Sequence, residues 1–163
     1  MKKKIIISII IILFVSILSV SLILILNNTK KEKKIIPRDV VNVYINGDSM
    51  SPTLVNKQMV KYKKTTDIKR YDIIVFKDEN DNTLVKRVYG IPKDNIVVNG
   101  EKIYINNEEI SDKYASSKTS GEANVTLGED EYYVLGDNRE ISKDSRFFGP
   151  IKKEKIRGVI IDE

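Results

Sequence analysis

An unbroken apolar run over residues 5–26 constrains this chain more than any other feature of its sequence. The run contains no charged residue, no proline and no glycine. As a helix it would extend roughly 33 Å at about 1.5 Å per residue, which is enough to cross the hydrocarbon core of a bilayer. A helix packed on a soluble core would show a periodic polar face, and the run shows none. The sequence therefore predicts one transmembrane helix over residues 5–26.

A cleaved secretory signal is the alternative explanation of this run. Such signals contain an apolar stretch of about 7–15 residues, followed by a pair of small residues at the cleavage site. The run is longer than that, and the residues around its end, LILNN at 24–28, include no small pair. We therefore expect an uncleaved anchor, with residues 1–4 as a charged tip before it and residues 27–40 as a juxtamembrane linker after it.

The net charge of +5 is concentrated beside the anchor. Residues 1–34 contain seven lysines and one glutamate, a net +6, whereas the rest of the chain carries a net −1. This basic excess can meet the anionic headgroups of a membrane lipid surface. The rest of the chain has no basic stripe, so no nucleic-acid partner is expected. Lysines flank both ends of the run, and the positive-inside rule leaves its orientation open.

The chain contains no histidine and no cysteine. Their absence excludes a Ser-His-Asp triad, a Cys-His pair, disulfides and any metal site built on imidazole or thiolate ligands. No metal and no cofactor is expected. A nucleophilic hydrolase with this composition must take its general base from a lysine, a carboxylate or an amino terminus.

The part of the chain after residue 40 reads as short strands. These runs are rich in Val, Ile and Tyr and are bounded by Gly, Pro, Asn and Asp. They cover residues 41–45, 58–63, 72–77, 83–89, 96–98, 102–105, 132–135 and 156–161. No helical period appears among them. We therefore predict a mainly β fold for residues 41–163, a compact antiparallel barrel-like or folded-over sheet.

The connections between these runs are also predictable in part. Asn99-Gly100 lies between two runs and favours a two-residue hairpin turn. Residues 78–82 (DENDN) read as another hairpin loop, because a calcium loop would need a glycine at its sixth position and a glutamate at its twelfth. Residues 111–128 are polar and rich in small side chains, which predicts an exposed loop.

The segment 45–54 (INGDSMSPTL) contains the first candidate for chemistry. Gly47 permits close approach of another backbone, and Pro52 fixes the chain just after Ser49. This arrangement suits a serine presented at the end of a strand beside an extended peptide. Gly-Asp-Ser is also ordinary turn chemistry, so the segment alone does not establish a nucleophile.

A lysine within a strand is the second candidate. Alternation in residues 83–89 (TLVKRVY) places Leu84, Lys86 and Val88 on one face, while Arg87 points to the other. Burial among apolar neighbours lowers the pKa of a lysine from its reference near 10.4, and a neutral amine is a competent general base. A solvated lysine whose stem packs on the sheet is the alternative.

The third segment, residues 132–150 (YYVLGDNREISKDSRFFGP), runs from a strand into a densely charged loop. Asp144 and Arg146 are a plausible ion pair within it. Ser142 is a candidate to donate a hydrogen bond to an uncharged lysine and orient it. Without further information, the loop is equally consistent with a purely structural role.

Together these segments resemble the bacterial type I signal peptidases, the serine–lysine proteases that remove signal peptides from exported proteins. The resemblance covers the anchor and residues 41–149, and GDSMSPTL, DIIVF, LVKRVYGIPKD and YVLGDNREISKDSRFFG occur in the family's order. Four such motifs in order are specific, whereas one alone would be weak. The lack of histidine is consistent with it, because the bacterial enzymes use lysine where the endoplasmic-reticulum type uses histidine.

The resemblance implies roles for individual residues. Ser49 corresponds to the nucleophile and Lys86 to its general base, and the N–H of Ser49 would supply one oxyanion-hole donor. The supporting residues it implies are Ser142, which hydrogen-bonds the lysine amine, the bracing pair Asp144 and Arg146, and Met50 beside the nucleophile.

Two positions depart from the family pattern. Gly47 stands where some members have a serine whose hydroxyl completes the oxyanion hole, so a second donor must come from elsewhere. Tyr71 stands where the family often has the glycine of Arg-Gly-Asp, which leaves the local turn open.

The resemblance further implies a membrane-bound endopeptidase acting on preproteins with signal peptides. It would cut after a small-x-small motif, with the N-terminus in the cytoplasm and the catalytic domain on the outer face of the cell membrane. Two other functions stay open: another Ser-Lys protease, such as a self-cleaving repressor-like relative, and a membrane-tethered β domain that binds partners without catalysis.

Overall fold

The computed structural model describes residues 12–22 and 38–161. The chain divides into two compact units, Met1–Ile36 and Pro37–Glu163. The charged tip at residues 1–4, the ends of the predicted span 5–26 and most of the predicted linker 27–40 lie outside the described residues.

In the first unit, residues 12–22 are helical, and their large apolar side chains are at least 53% exposed. The hydroxyls of Ser16, Ser19 and Ser21 each donate to the carbonyl oxygen three residues earlier, at 2.8–2.9 Å. These serines therefore satisfy their own polar groups within the helix, as expected in an apolar setting. Within residues 12–22 and 38–161, no helix has both the length and the apolar character that crossing a membrane requires.

The second unit folds into two antiparallel sheets. The described strands are β1 Val40–Tyr44, β2 Met59–Lys63, β3 Ile73–Lys77, β4 Thr83–Gly90, β5 Asn95–Asn99, β6 Lys102–Ile105, β7 Glu108–Glu109, β8 Glu122–Thr126, β9 Glu131–Leu135, β10 Ile151–Lys152 and β11 Ile156–Ile160. One sheet has seven strands in the order β1-β2-β11-β3-β4-β9-β10, and the other has four in the order β7-β6-β5-β8. A short helix, Ser145–Phe148, and a 3₁₀ turn, Lys153–Lys155, complete the unit. The mainly β antiparallel fold predicted from the sequence is confirmed.

Both predicted hairpins are present. Strands β5 and β6 pair with Asn99 opposite Lys102, so the two-residue turn is Gly100-Glu101, with Gly100 at φ +60°. The turn therefore lies one residue later than predicted. Strands β3 and β4 are joined by residues 78–82, where the Asp78 carboxylate accepts the N–H groups of Asn80 and Asn82 at 2.8–2.9 Å.

The prediction of an exposed loop over residues 111–128 is wrong in its second half. Strand β8 pairs with β5 along five consecutive residue pairs, and Ala123 and Val125 pack against the core of the small sheet. Its other side chains are polar and exposed. Because this edge strand buries only one small and one medium side chain, its sequence lacks the Val/Ile density that identified the other strands.

The large sheet carries apolar side chains on both faces. Alternate residues of β3 enter different cores: Ile73 and Val75 pack with Met50 and Leu54, while Ile74 and Phe76 pack with residues of β4 and β9. A third core lies under the small sheet and includes Tyr89 of β4. Strand β4 therefore runs through the middle of the unit, and a side chain near its centre is shielded from water.

Tyr71, which replaces the family's glycine, adopts a left-handed backbone with φ +73°. A side chain in this region costs about 1–2 kcal/mol. The ring of Tyr71 packs edge-on against Tyr89, with centroids 5.6 Å apart, and against Tyr114 at 5.3 Å. The turn that glycine would favour is therefore formed here by a tyrosine, whose ring contacts offset the backbone strain.

We expect Tyr71→Gly to lower the free energy of unfolding by about 1–2 kcal/mol, because the lost ring burial and aromatic contacts outweigh the strain relieved. Lys57 is the matched control, since it is exposed and also left-handed, with φ +67°. Lys57→Gly should leave the unfolding free energy unchanged or raise it by up to about 1 kcal/mol. Urea unfolding of both variants measures the difference. A stabilised Tyr71→Gly variant would contradict the compensation by its ring.

Candidate active site

A tight turn after β1 presents Ser49. The backbone of Ile45 pairs with Gln58 and Lys57 at 2.9 Å, and Gly47 adopts φ +96° while its N–H donates to Asn56 Oδ1 at 3.1 Å. Just after Ser49, the side chain of Met50 is 1% exposed and packs in the core with Leu54. Met50 therefore anchors the turn from below, and Ser49 stays half-buried at the surface.

Lys86 lies on β4 directly opposite this turn. Its side chain is 4% exposed, and its Nζ lies 2.7 Å from Ser49 Oγ and 2.9 Å from the Val85 carbonyl oxygen. Burial lowers the pKa of Lys86 from 10.5 to about 8, and the carboxylates of Asp144 and Asp137 oppose this by raising it. The amine thus reaches its neutral form far more readily than an exposed lysine, and it can then accept the Ser49 proton.

The loop after β9 contains the ion pair predicted between Asp144 and Arg146. Arg146 Nε donates to Asp144 Oδ1 at 2.8 Å and Arg146 Nη2 donates to Oδ2 at 2.9 Å, with both side chains buried. Asp144 Oδ2 also accepts the N–H of Gly136 at 3.0 Å, and Arg146 Nη2 reaches the carbonyl of Arg139 at 2.7 Å. The pair therefore ties the start, middle and end of the loop together.

Ser142 lies in the same loop, but its predicted hydrogen bond to Lys86 is not made. Its side chain is 3% exposed, and its Oγ has no hydrogen-bond partner among the described residues. The Lys86 amine is instead bonded to Ser49 and to its own strand. Ser142 Oγ and the Ser49 carbonyl oxygen both lie against Gly136, which places Ser142 beside the turn of Ser49.

A buried ion pair next to Lys86 was not predicted. Arg87 Nε and Nη2 donate to the two carboxylate oxygens of Asp137 at 2.9 and 2.6 Å, and the side chains are 2% and 0% exposed. Thr53 Oγ1 donates to the same carboxylate at 2.6 Å. The alternation of the strand correctly predicted that Arg87 points away from Lys86. Because Arg87 is buried there, it requires an acidic partner. The feature of the sequence that could have indicated this ion pair was Asp137, which follows a predicted strand.

Comparison with known proteins supports one family. The family model described as signal peptidase, peptidase S26, matches residues 3–161. The chain is 33% identical over 144 residues to signal peptidase I V of Bacillus subtilis, covering 75% of this chain and 84% of that one. It is 34% identical over 130 residues to signal peptidase I of Bacillus amyloliquefaciens, covering 70% of each.

The chain belongs to the signal peptidase family, peptidase S26. It is a serine endopeptidase of the signal peptidase I type. A crystal structure of a signal peptidase I from Enterococcus faecalis is similar, with a TM-score of 0.53 and 28% identity. The similarity covers 58% of this chain and 97% of that one.

The peptidase has a groove of about 390 Å³ beside Ser49 and Lys86, lined by residues 42–47 and 83–86. On one side, β1 is an edge strand of the large sheet. On the other, β9 pairs with β4 only from Arg87 onward, so residues 83–86 present a strand edge toward the groove. A strand edge offers unpaired backbone groups to an extended peptide.

Proposed function

We propose that this peptidase removes N-terminal signal peptides from exported preproteins and cuts after a small-x-small motif through a Ser49–Lys86 dyad. The observation that carries the proposal is the distance of 2.7 Å between Lys86 Nζ and Ser49 Oγ, with the amine buried. In a chain without histidine, this amine is the base that lies within hydrogen-bond reach of the serine.

The reaction proceeds through an acyl-enzyme. Neutral Lys86 accepts the Ser49 proton as Oγ attacks the scissile carbonyl carbon, and the resulting ammonium protonates the departing amine. Lys86 then takes a proton from water as the water oxygen attacks the ester carbonyl carbon. When the bond to Ser49 Oγ breaks, the Lys86 ammonium returns this proton to Oγ and the acid product leaves. The N–H of Ser49 donates to no described residue and can stabilise the oxyanion. The N–H of Gly47 cannot, since it donates to Asn56.

The substrate adds to the sheet as an extended strand. Its backbone pairs with the edge of residues 83–86 and with the chain before Ser49, where Ile45, Leu84 and Val85 line the groove. A groove closed from below by the buried side chains of Ile45 and Met50 accommodates small substrate residues at the first and third positions before the cut.

Residues 5–26 anchor the peptidase in the membrane in this proposal. Residues 1–4 lie in the cytoplasm, residues 27–40 form the linker, and the catalytic domain over residues 41–163 faces outward. The uncharged apolar run supports the anchor, and the basic residues on both its flanks favour anionic lipid headgroups.

We expect activity to depend on pH through the titration of Lys86, because the amine must be neutral to accept the proton of Ser49. Since the pKa of Lys86 is about 8, the amine is protonated and inactive below that pH and neutral above it. The value of kcat/KM should rise with pH through about 8 and then level off. Initial rates at low substrate concentration between about pH 6 and about pH 10 measure this. A flat profile would contradict Lys86 as the base.

Product analysis tests the function directly. The full chain in detergent is incubated with a purified preprotein, and both products are identified by mass. We expect one cut directly after the small-x-small motif, and no cut when the residue before the scissile bond is replaced by a large one. If the unaltered preprotein stays uncleaved, the result would instead favour a tethered binding domain. Cleavage at unrelated sites would favour another Ser-Lys protease.

A further inference from the structure

The segment 112–120, here called the brace segment, lies between β7 and β8 and belongs to no strand. Its composition predicted a solvated loop. Several of its residues are exposed, and the segment also contacts the turn of Ser49, the strand of Lys86 and the loop of Ser142. These three elements come from distant parts of the sequence, and the brace segment contacts all three without lining the groove.

Tyr114 makes the contact with the strand of Lys86. The Arg87 guanidinium carbon lies 4.0 Å from the centre of the Tyr114 ring, and Tyr71 packs on the same ring. Arg87 Nη1 also donates to the Tyr71 carbonyl oxygen at 3.0 Å. Such a cation–π contact is stronger on a desolvated arginine than on an exposed one. The ring therefore helps to fix the residue next to Lys86 and, through it, Asp137.

Ser116 makes the contact with the nucleophile turn. Its Oγ lies 2.9 Å from the Ser51 carbonyl oxygen and 3.2 Å from the Asp137 carbonyl oxygen, so it can donate to either. Its backbone N–H donates to the Asp137 carbonyl at 2.8 Å. One residue thus links the chain just after Ser49 to the chain just after Gly136. Nearby, the N–H of Asn138 donates to the Ser49 carbonyl at 3.0 Å.

Both ends of the brace segment hold the charged loop. Arg139 is buried and contacts Thr119 Oγ1 and the Asp112 carboxylate. Arg146 Nη1 donates to the Ser120 carbonyl oxygen at 3.1 Å. Both arginines of this loop are therefore held partly by groups that the brace segment supplies.

We propose that the brace segment positions the dyad, and that Tyr114 and Ser116 are positioning residues of the peptidase. The inference rests on the proposed assignment of Ser49 and Lys86. Neither residue lines the groove beside Ser49 and Lys86. Their effect comes from fixing the distance between Ser49 and the strand of Lys86, and a displacement of about 1 Å between reacting groups can cost about 100-fold in rate.

Ser116→Ala and Tyr114→Leu test the proposal in the full-length chain. We expect kcat to fall by about 10-fold or more in each, with KM changed less than about threefold, because alignment is lost while the groove remains. Ser116→Thr keeps the hydroxyl and Tyr114→Phe keeps the ring, so both should retain near wild-type kcat. Ser120→Ala is the matched control, since the Ser120 side chain makes no hydrogen bond to a described residue.

Hydrogen exchange at the Asn138 amide gives a readout that does not depend on activity. This amide is bonded to the Ser49 carbonyl, so Ser116→Ala should speed its exchange whereas Ser120→Ala should not. The proposal is overturned if both kcat and this exchange rate match the Ser120→Ala control. If Ser49→Ala remains active, the proposed dyad fails, and the exchange rate alone then decides whether the brace segment holds the turn.

Discussion

Ser49→Ala and Lys86→Met should each lower kcat/KM by about 10⁴-fold or more, and the double variant should lose little beyond either single one. In the proposed dyad the serine and the lysine act as one unit, so removing either removes the nucleophilic pathway. Single-turnover cleavage of a preprotein measures the three variants. Methionine is chosen for position 86 because it fills the buried space of the lysine stem without an amine.

The melting temperature of each variant distinguishes a loss of catalysis from a loss of folding. A protonated amine is costly at a site this buried, so Lys86→Met should leave the melting temperature at pH 7 unchanged or higher. Ser51→Ala and Lys77→Met serve as controls, since Ser51 lies two residues from Ser49 and the ammonium of Lys77 is bonded to Asp81. Both controls should keep activity within about threefold. A well-folded Lys86→Met variant with wild-type activity would exclude Lys86 as the base.

The strands could be predicted because most of them bury apolar side chains on one face or both. All eight predicted runs are strands in the structure, and the buried run of β3 was the easiest to recognise. Strand β8 was missed because it is held mainly by its backbone pairing with β5 and not by buried side chains. Most of its side chains remain exposed to water. The two-residue strands β7 and β10 carry no pattern long enough to detect.

Some features of the site could likewise be predicted from the sequence, and others could not. Alternation placed Lys86 on an apolar face but left a solvated lysine as the alternative, and its 4% exposure decides for the buried one. Its distance to Ser49, 37 residues earlier, depends on how β4 crosses the unit and could come only from the resemblance. The position of Ser142 Oγ depends on the backbone path at Gly136, which no residue type encodes. The contacts of the brace segment could not be predicted, because small polar residues occur equally in solvated loops and in loops that hydrogen-bond to the rest of the fold.

Gly136→Ala should lower kcat by about 100-fold, the second large effect that we expect. A Cβ at this position would overlap Ser142 Oγ and would lie 2.5 Å from the Ser49 carbonyl oxygen. The Gly136 backbone and the Ser49 carbonyl cannot move apart freely. The Gly136 N–H is bonded to Asp144 and its carbonyl to Arg139, and Asn138 holds the Ser49 carbonyl. The added methyl must therefore displace the turn of Ser49 relative to Lys86.

Gly128→Ala is the matched control for this substitution. Its new Cβ would meet only the carboxylate of Glu131, 3.3 Å away at the end of a flexible side chain. We expect it to keep activity within about twofold, while Gly136→Ala also loses about 1–3 kcal/mol of stability through overpacking. Preprotein cleavage and urea unfolding of both variants measure this. Wild-type kcat in a folded Gly136→Ala variant would show that the turn of Ser49 tolerates displacement, and that catalysis does not depend on the close contact between these two loops.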